Sequence, residues 1–203
     1  MRFFSDARQD EFVANLLNFK RDGYCLDIGS CHSIIANNTF AFVNLGWTSI
    51  SVELDDKWND SYSSTRNKGC HINEDALKVN YKKELEQLNF PKNIDYLSLD
   101  IDELSYDCLK LIPFNDYKFK VITIEHDAYV HGDKYRKLQR DFLTDLGYTL
   151  LCSDVYTGVE IEGFKGMDLP FEDWWVDANQ IESQLIDKIK SDSLLPTEII
   201  QKF

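Results

Sequence analysis

The chain is short of positive charge. Its 203 residues carry 22 Lys and Arg against 35 Asp and Glu, a formal net charge of −13. Holding nucleic acid through its phosphates needs a basic surface, and so does attachment to an anionic membrane, so the charge argues against both partners. Neutral small molecules and carbohydrates stay open as substrates. Long apolar runs are missing too. No stretch approaches the ~20 apolar residues of a membrane span. The opening Met1-Arg2-Phe3-Phe4-Ser5-Asp6 lacks the apolar core of a signal peptide. A cytoplasmic protein is expected. Paired cysteine motifs are also absent. Cys25, Cys31, Cys70, Cys108 and Cys152 are odd in number, form no C-x-x-C, and are scattered, several of them in apolar runs. That pattern reads as reduced thiols acting as small hydrophobes. No repeat, low-complexity tract or linker is visible, so one domain over residues 1–203 is expected. It divides into an N-terminal helix (1–20), an α/β core (23–177), and a C-terminal helix and tail (178–203).

What is present is an alternation of strand and helix patterns. Phe12, Val13, Leu16 and Leu17 recur at helical spacing within 5–20, with Ser5 or Asp6 placed to cap the helix. Strands are expected at 24–28, 50–53, 70–73, 94–100, 119–124 and 148–155. Helices are expected at about 34–44, 55–68, 81–88, 106–112, 133–146 and 181–190. Glycines or prolines punctuate most of them, including Gly46, Pro91, Pro113 and Gly147. Such alternation implies a mainly parallel sheet with helices on both faces.

In sheets of that kind ligands bind beyond the carboxyl ends of the strands. Acids stand at those ends repeatedly: Asp27, Glu53, Asp75, Asp100 and the run Glu125-His126-Asp127. The stretch from Tyr24 to Glu53 reads as strand, turn, helix and strand, with an acid on the second strand about 20 residues after the turn, the general layout of a nucleotide-like cofactor site. A dinucleotide needs three glycines in the turn to crowd its pyrophosphate. Only Gly29 is present, followed by Ser30, Cys31, His32 and Ser33. A phosphate-free adenosine cofactor such as S-adenosylmethionine asks for less. One close backbone approach suffices, with a carboxylate for the ribose diol, which Glu53 supplies. Asp27 lies at the turn near the amino-acid moiety, and Asp75 or Asn73 lies within reach of the adenine amino group.

The runs D-I-G-S-C-H-S, L-G-W-T-S-I-S-V-E, I-D-Y-L-S-L-D-I-D-E, I-T-I-E-H-D and F-E-D-W-W-V-D resemble the FkbM-type S-adenosylmethionine-dependent methyltransferases over most of the chain. The resemblance implies a Rossmann-like class I methyltransferase, a three-layer α/β/α sandwich with sheet order 3-2-1-4-5-7-6 and one antiparallel strand. It implies that Asp27, Gly29 and Glu53 line the cofactor pocket with Asp75 nearby, and that the opening, with Ser5, Gln9 and Asp10, closes over it. Ser33 departs from the family, which often has glycine there. Ser30 and His32 join the cofactor candidates.

Asp100, Glu125 and His126 are the catalytic candidates, His126 as a base or all three as ligands of a divalent cation such as Mg²⁺. The macrocin-type sugar O-methyltransferases, similar in layout, place magnesium at these strand ends, and Asp102 is a further ligand candidate. His131 could flank the substrate. Trp174 and Trp175 either wall the pocket or pack. The expected activity is O-methylation of a small hydroxylated substrate such as a sugar or glycan. The alternatives are a non-catalytic cofactor-binding or regulatory module and, more remotely, a nicotinamide oxidoreductase.

Overall fold

The computed structural model describes residues 1–158 and 169–203. Their strands are β1 (Tyr24–Ile28), β2 (Thr48–Glu53), β3 (Gly69–Asn73), β4 (Asn93–Leu99), β5 (Lys118–Glu125), β6 (Thr149–Tyr156), β7 (Pro170–Val176) and β8 (Ser191–Asp192). They form one sheet in the order β3-β2-β1-β4-β5-β7-β6-β8. β7 runs antiparallel between β5 and β6, and the remaining pairs are parallel. The expected strand order is therefore present, with the two-residue β8 added at its edge. The helices are α1 (Gln9–Leu16), α2 (Asn59–Thr65), α3 (Tyr81–Gln87), α4 (Ser105–Leu109), α5 (Ala128–His131), α6 (Asp133–Asp145), α7 (Ser183–Ile189) and α8 (Pro196–Ile200). Among the described residues no helix is long and apolar enough to cross a membrane. All five cysteines are free.

Successive side chains in a strand point to opposite faces, so each strand feeds two apolar layers. Leu26, Ile28, Leu97, Leu99, Ile122, Ile124 and Trp175 join a layer with Tyr81 and Leu85 of α3, Leu109 of α4 and Leu143 of α6. Cys25, Tyr96, Val121, Trp174 and Val176 join the other, with Phe12, Val13 and Leu16 of α1, Ile189 of α7 and Ile199 of α8. The neighbours Trp174 and Trp175 thus serve opposite layers, and both are buried. They pack rather than wall a pocket.

Two expected elements differ. The helix placed at 34–44 is a 3₁₀ helix from Phe40 to Leu45. Before it the chain turns irregularly, with Cys31 and Ala36 at positive φ. Asn37 Oδ1 accepts from the amides of Thr39 and Phe40 (3.0 and 2.8 Å), a local turn that competes with helix. The first helix is shorter than 5–20. It opens after Arg8 and stops before Asn18 and Phe19, which take positive φ. Arg8 holds the cap position without a side-chain bond, Asp6 does not cap the helix, and Ser5 Oγ accepts from the first-turn amide of Asp10 at 3.2 Å. The Ser5 hydroxyl and the Phe4 amide in turn donate to the Asp10 carboxylate at 2.6 Å, pinning the chain start onto α1.

Candidate functional site

The parallel register decides which acids meet. Asp27 is opposite Ser51 of β2 and Ser98 of β4, and Ser98 is opposite Thr123 of β5. Counting on by twos along each strand, Glu53, Asp100 and Glu125 leave the sheet on the same face as Asp27, the face covered by α1. Glu172 of β7 is opposite Glu125 and has the parity of Trp174, so it adds a buried acid to that face. The sequence did not single out Glu172, although its place two residues before the paired tryptophans was a signal.

Two adjoining cavities open at the carboxyl edge, of about 290 and 280 Å³, and both are lined by Gly29, Cys31 and Asp100. The first is lined also by Asp27, Ser30, Glu125, Tyr129 and Phe171, and by Asp6, Ala7 and Gln9 from the chain start. The second holds Glu53, Glu74, Asp75, Ile101 and Asp102. Gly29 has φ +78°, and a Cβ there would fall 1.7 Å from the Asp100 carbonyl oxygen. The chain therefore passes the cavity floor as bare backbone. Glu53 accepts from the Cys31 and Asp55 amides, each at 2.8 Å, one per carboxylate oxygen. A carboxylate offers about four lone-pair sites, so two remain for a ribose diol. Bare backbone beside a carboxylate with spare acceptors fits an adenosine-bearing cofactor.

The other cofactor candidates fall at different depths. Asp27 is buried and accepts from the Thr39 hydroxyl at 2.7 Å. Burial pushes its carboxyl up to about 6. Ser30 lines the first cavity and donates to the Val52 carbonyl. Asp75 lines the second. The Leu77 amide, then Lys78, holds its carboxyl below the usual range. Asn73 bonds the carbonyls of Glu53 and Leu54 instead. His32 lines neither cavity. Its Nδ1 accepts from the Ile34 and Ile35 amides, and its ring meets Trp58 edge-on at 5.1 Å.

The catalytic trio divides. Asp100 and Glu125 meet in the first cavity, and burial, then the Asp100 charge, drives the Glu125 carboxyl far up, so the pair holds a proton. His126 follows Glu125 and points to the opposite face. There Nδ1 accepts from the Ala128 amide, and Nε2 lies 3.6 Å from Asp173 and 3.7 Å from Asp154. Arg140 bonds both of those acids, and Arg136 bonds Asp154. The ligand set Asp100, Glu125 and His126 is therefore not assembled, because consecutive strand residues cannot share a face. The oxygens that do gather belong to Asp102, Glu125 and Asp127, one from each within 4.8 Å of the others. His131 stands outside both cavities, 3.9 Å from Glu103.

No protein-family model matches the sequence, and no curated protein matches it either. Solved structures do. The chain is similar to the TehB-like SAM-dependent methyltransferase of Corynebacterium glutamicum (12% identity, TM-score 0.53, 86% of this chain on 88% of that one). It is also similar to cofactor-bound Rv0187 from MTB (14% identity, TM-score 0.55, 87% on 82%). A third is M. capricolum TrmK in complex with S-adenosyl-homocysteine (12% identity, TM-score 0.51, 87% on 73%). The fold is that of class I methyltransferases. At these identities the likeness fixes the fold and leaves residue roles to the geometry.

Proposed function

We propose that this chain is an S-adenosylmethionine-dependent methyltransferase of the FkbM type, acting on a hydroxyl of a small acceptor. The observation that carries the reading is the pair of cavities meeting at Gly29, with Glu53 in one and the Asp100–Glu125 pair in the other. Glu53 binds the ribose diol with its spare lone pairs. Asp75 lies alongside for the adenine, and Asp27 and Ser30 position the amino-acid end. The cofactor supplies a methyl on a sulfonium whose bonding electron pair stays on sulfur when the methyl leaves. Asp100 orients the acceptor hydroxyl toward that methyl and takes its proton, while Glu125, already protonated, holds Asp100 by a hydrogen bond. The start of the chain, through Asp6, Ala7 and Gln9, narrows the cavity and excludes water. No step runs through His126, which is engaged on the far face.

Titration calorimetry with S-adenosylhomocysteine tests this directly. The wild-type chain is expected to bind it. Glu53→Ala is expected to weaken binding at least tenfold, about 1.4 kcal/mol, and to lower the melting temperature as the Cys31 and Asp55 amides lose their acceptor. Wild-type protein that gives no heat of binding overturns the reading. Binding without turnover on a broad hydroxylated panel would favour a regulatory module of the same fold.

A further inference from the structure

Asp27 stands in the wall of the first cavity, 2% exposed, and among the described residues no Lys or Arg lines that cavity or its neighbour. A positive charge reaches it from behind. Arg66, at the C-terminal end of α2, directs Nη2 to Asn37 Oδ1 at 2.7 Å, the Ser33 carbonyl at 3.1 Å and Thr39 Oγ1 at 3.3 Å. These contacts steer the hydrogens of both side chains. A hydroxyl has a single hydrogen. With Arg66 donating to its oxygen, Thr39 keeps that hydrogen for Asp27 Oδ2, at 2.7 Å. Asn37 Oδ1 also accepts from the Thr39 and Phe40 amides, so its Nδ2 turns toward the Ser30 carbonyl (2.9 Å) and Asp27 Oδ2 (3.4 Å). A guanidinium is a costly way to hold such a loop. Its Nε and Nη1 are buried without a hydrogen-bond partner among the described residues, and the Phe40 and Tyr62 ring centroids lie 5.4 and 5.6 Å from Cζ. Those rings recover part of the desolvation cost. A neutral amide could make the same loop contacts, so what the cation adds is charge beside Asp27.

We infer that Arg66 is a positioning residue for the amino-acid end of the cofactor: through Asn37 and Thr39 it fixes the Asp27 carboxylate in the cavity wall and keeps it ready to accept from the cofactor's ammonium. The inference rests on the methyltransferase reading above and adds to it a residue outside both cavities. The Ser98 hydroxyl, which accepts from Asn38 Nδ2 at 3.0 Å, is a third donor to Asp27. Three donors leave one of the carboxylate's about four lone-pair sites for the ammonium. The ionisable groups around Asp27 are Cys25 on its own strand, Cys31 in the turn after it, Tyr62 and Arg66 from α2 and its end, and Tyr96 and Asp100 from β4 and its end. Burial raises both thiols and both phenols, so all four stay neutral. Burial also lifts the Asp27 carboxyl to about 6, with Thr39 and then Arg66 pulling it down and Asp100 pushing it up. Without Arg66 the Asp27 proton is held to higher pH, and a protonated carboxyl makes a poorer partner for an ammonium.

Two ligands that differ at one end read this role. S-adenosylhomocysteine carries the ammonium, whereas 5′-methylthioadenosine shares its adenosine and thioether and lacks the amino-acid end. In titration calorimetry Arg66→Met is expected to bind S-adenosylhomocysteine about tenfold more weakly than wild type at pH 5.5, and within about threefold of wild type at pH 8.5. Its affinity for 5′-methylthioadenosine is expected to stay within about twofold of wild type at both. Thr39→Val breaks the link to Asp27 with Arg66 in place. It should weaken S-adenosylhomocysteine and spare 5′-methylthioadenosine, which keeps the test open if Arg66→Met fails to fold. Arg66→Met binding S-adenosylhomocysteine as wild type does at pH 5.5 overturns the inference. So does an equal loss at the two pH values, or an equal loss of both ligands, since a loop held only for its shape predicts those. If Arg66→Met does not fold, wild-type affinity for S-adenosylhomocysteine in Thr39→Val overturns it. Wild-type protein that binds neither ligand is a separate outcome, which strikes the methyltransferase reading itself.

Discussion

Asp27 ties the stability of the chain to pH. Its carboxyl is buried at the end of β1 and raised to about 6 from an ordinary 3.8, chiefly by burial and against the pull of Thr39 and Arg66. The folded state therefore keeps a proton, between pH 4 and 6, that the unfolded chain has released. Stability is fully present below the unfolded value and declines as pH rises through the folded one. The shift corresponds to roughly 3 kcal/mol at most. Asp27→Asn removes the titration and should still accept from the Thr39 hydroxyl through its amide oxygen. Urea unfolding at pH 4 and pH 7 is expected to show the variant gaining on wild type by up to that amount as pH rises. A pH-independent difference would mean that Asp27 is solvated in the folded state. At this scale the sequence was legible wherever position alone decides: Asp27, Gly29, Glu53 and Asp100 all line the two cavities. It misled at His126, where adjacency in sequence was read as adjacency in space although strand periodicity forbids it. It was silent on the Asn37, Thr39 and Arg66 side chains around Asp27, which come together only through the fold.

Elements ending in glycine or tryptophan carry the next set of constraints. The turn after β1 was legible as a break, but its helix was not formed, because Asn37 captures the amides of Thr39 and Phe40. Asparagine in an apolar surround was the available signal. That irregular loop lets the Cys31 amide reach Glu53 at 2.8 Å, so β1 and β2 are clamped across the cavity floor. The clamp depends on Gly29 passing Asp100 without a side chain. Gly29→Ala puts a methyl where the Asp100 carbonyl oxygen stands, and at a φ of +78°. Strain of that kind is expected to cost roughly 2–4 kcal/mol and to abolish S-adenosylhomocysteine binding in whatever remains folded. Thermal unfolding and calorimetry read the two effects separately. Unchanged melting would show that the β1–β4 crossing is loose enough to admit a side chain. At the other end of the sheet, the Trp174–Trp175 pair was expected either to pack or to wall the pocket. A strand covered on both faces offers two dry sites to consecutive residues, and each tryptophan fills one of them.

Across the whole molecule, the strand order was accessible because alternating strands and helices force parallel crossovers, and the family resemblance supplied the placement of the one antiparallel strand. β8 and α8 were not foreseen. A two-residue strand has too little pattern to read, and it exists only because β6 leaves an edge to pair with. The layering predicts where the molecule is firm. β1, β4 and β5 are central, with a paired strand on each side and apolar layers on both faces, whereas β3 and β8 are edges and β3 is half exposed. Amide hydrogen exchange is expected to be slowest in the three central strands and fastest in β3 and β8. Adding S-adenosylhomocysteine should slow exchange at a restricted set of sites. The amides of Cys31 and Asp55, which already donate to Glu53, are expected to gain protection, along with those at 100–102 beside Gly29. A diol hydrogen-bonded to Glu53 stiffens the carboxylate that holds both amides, so their opening becomes rarer without any change in partner. Protection that instead spread over β6 and β8, or over the chain as a whole, would place the ligand away from the carboxyl edge of β1, β2 and β4. It would separate the fold from the function proposed for it.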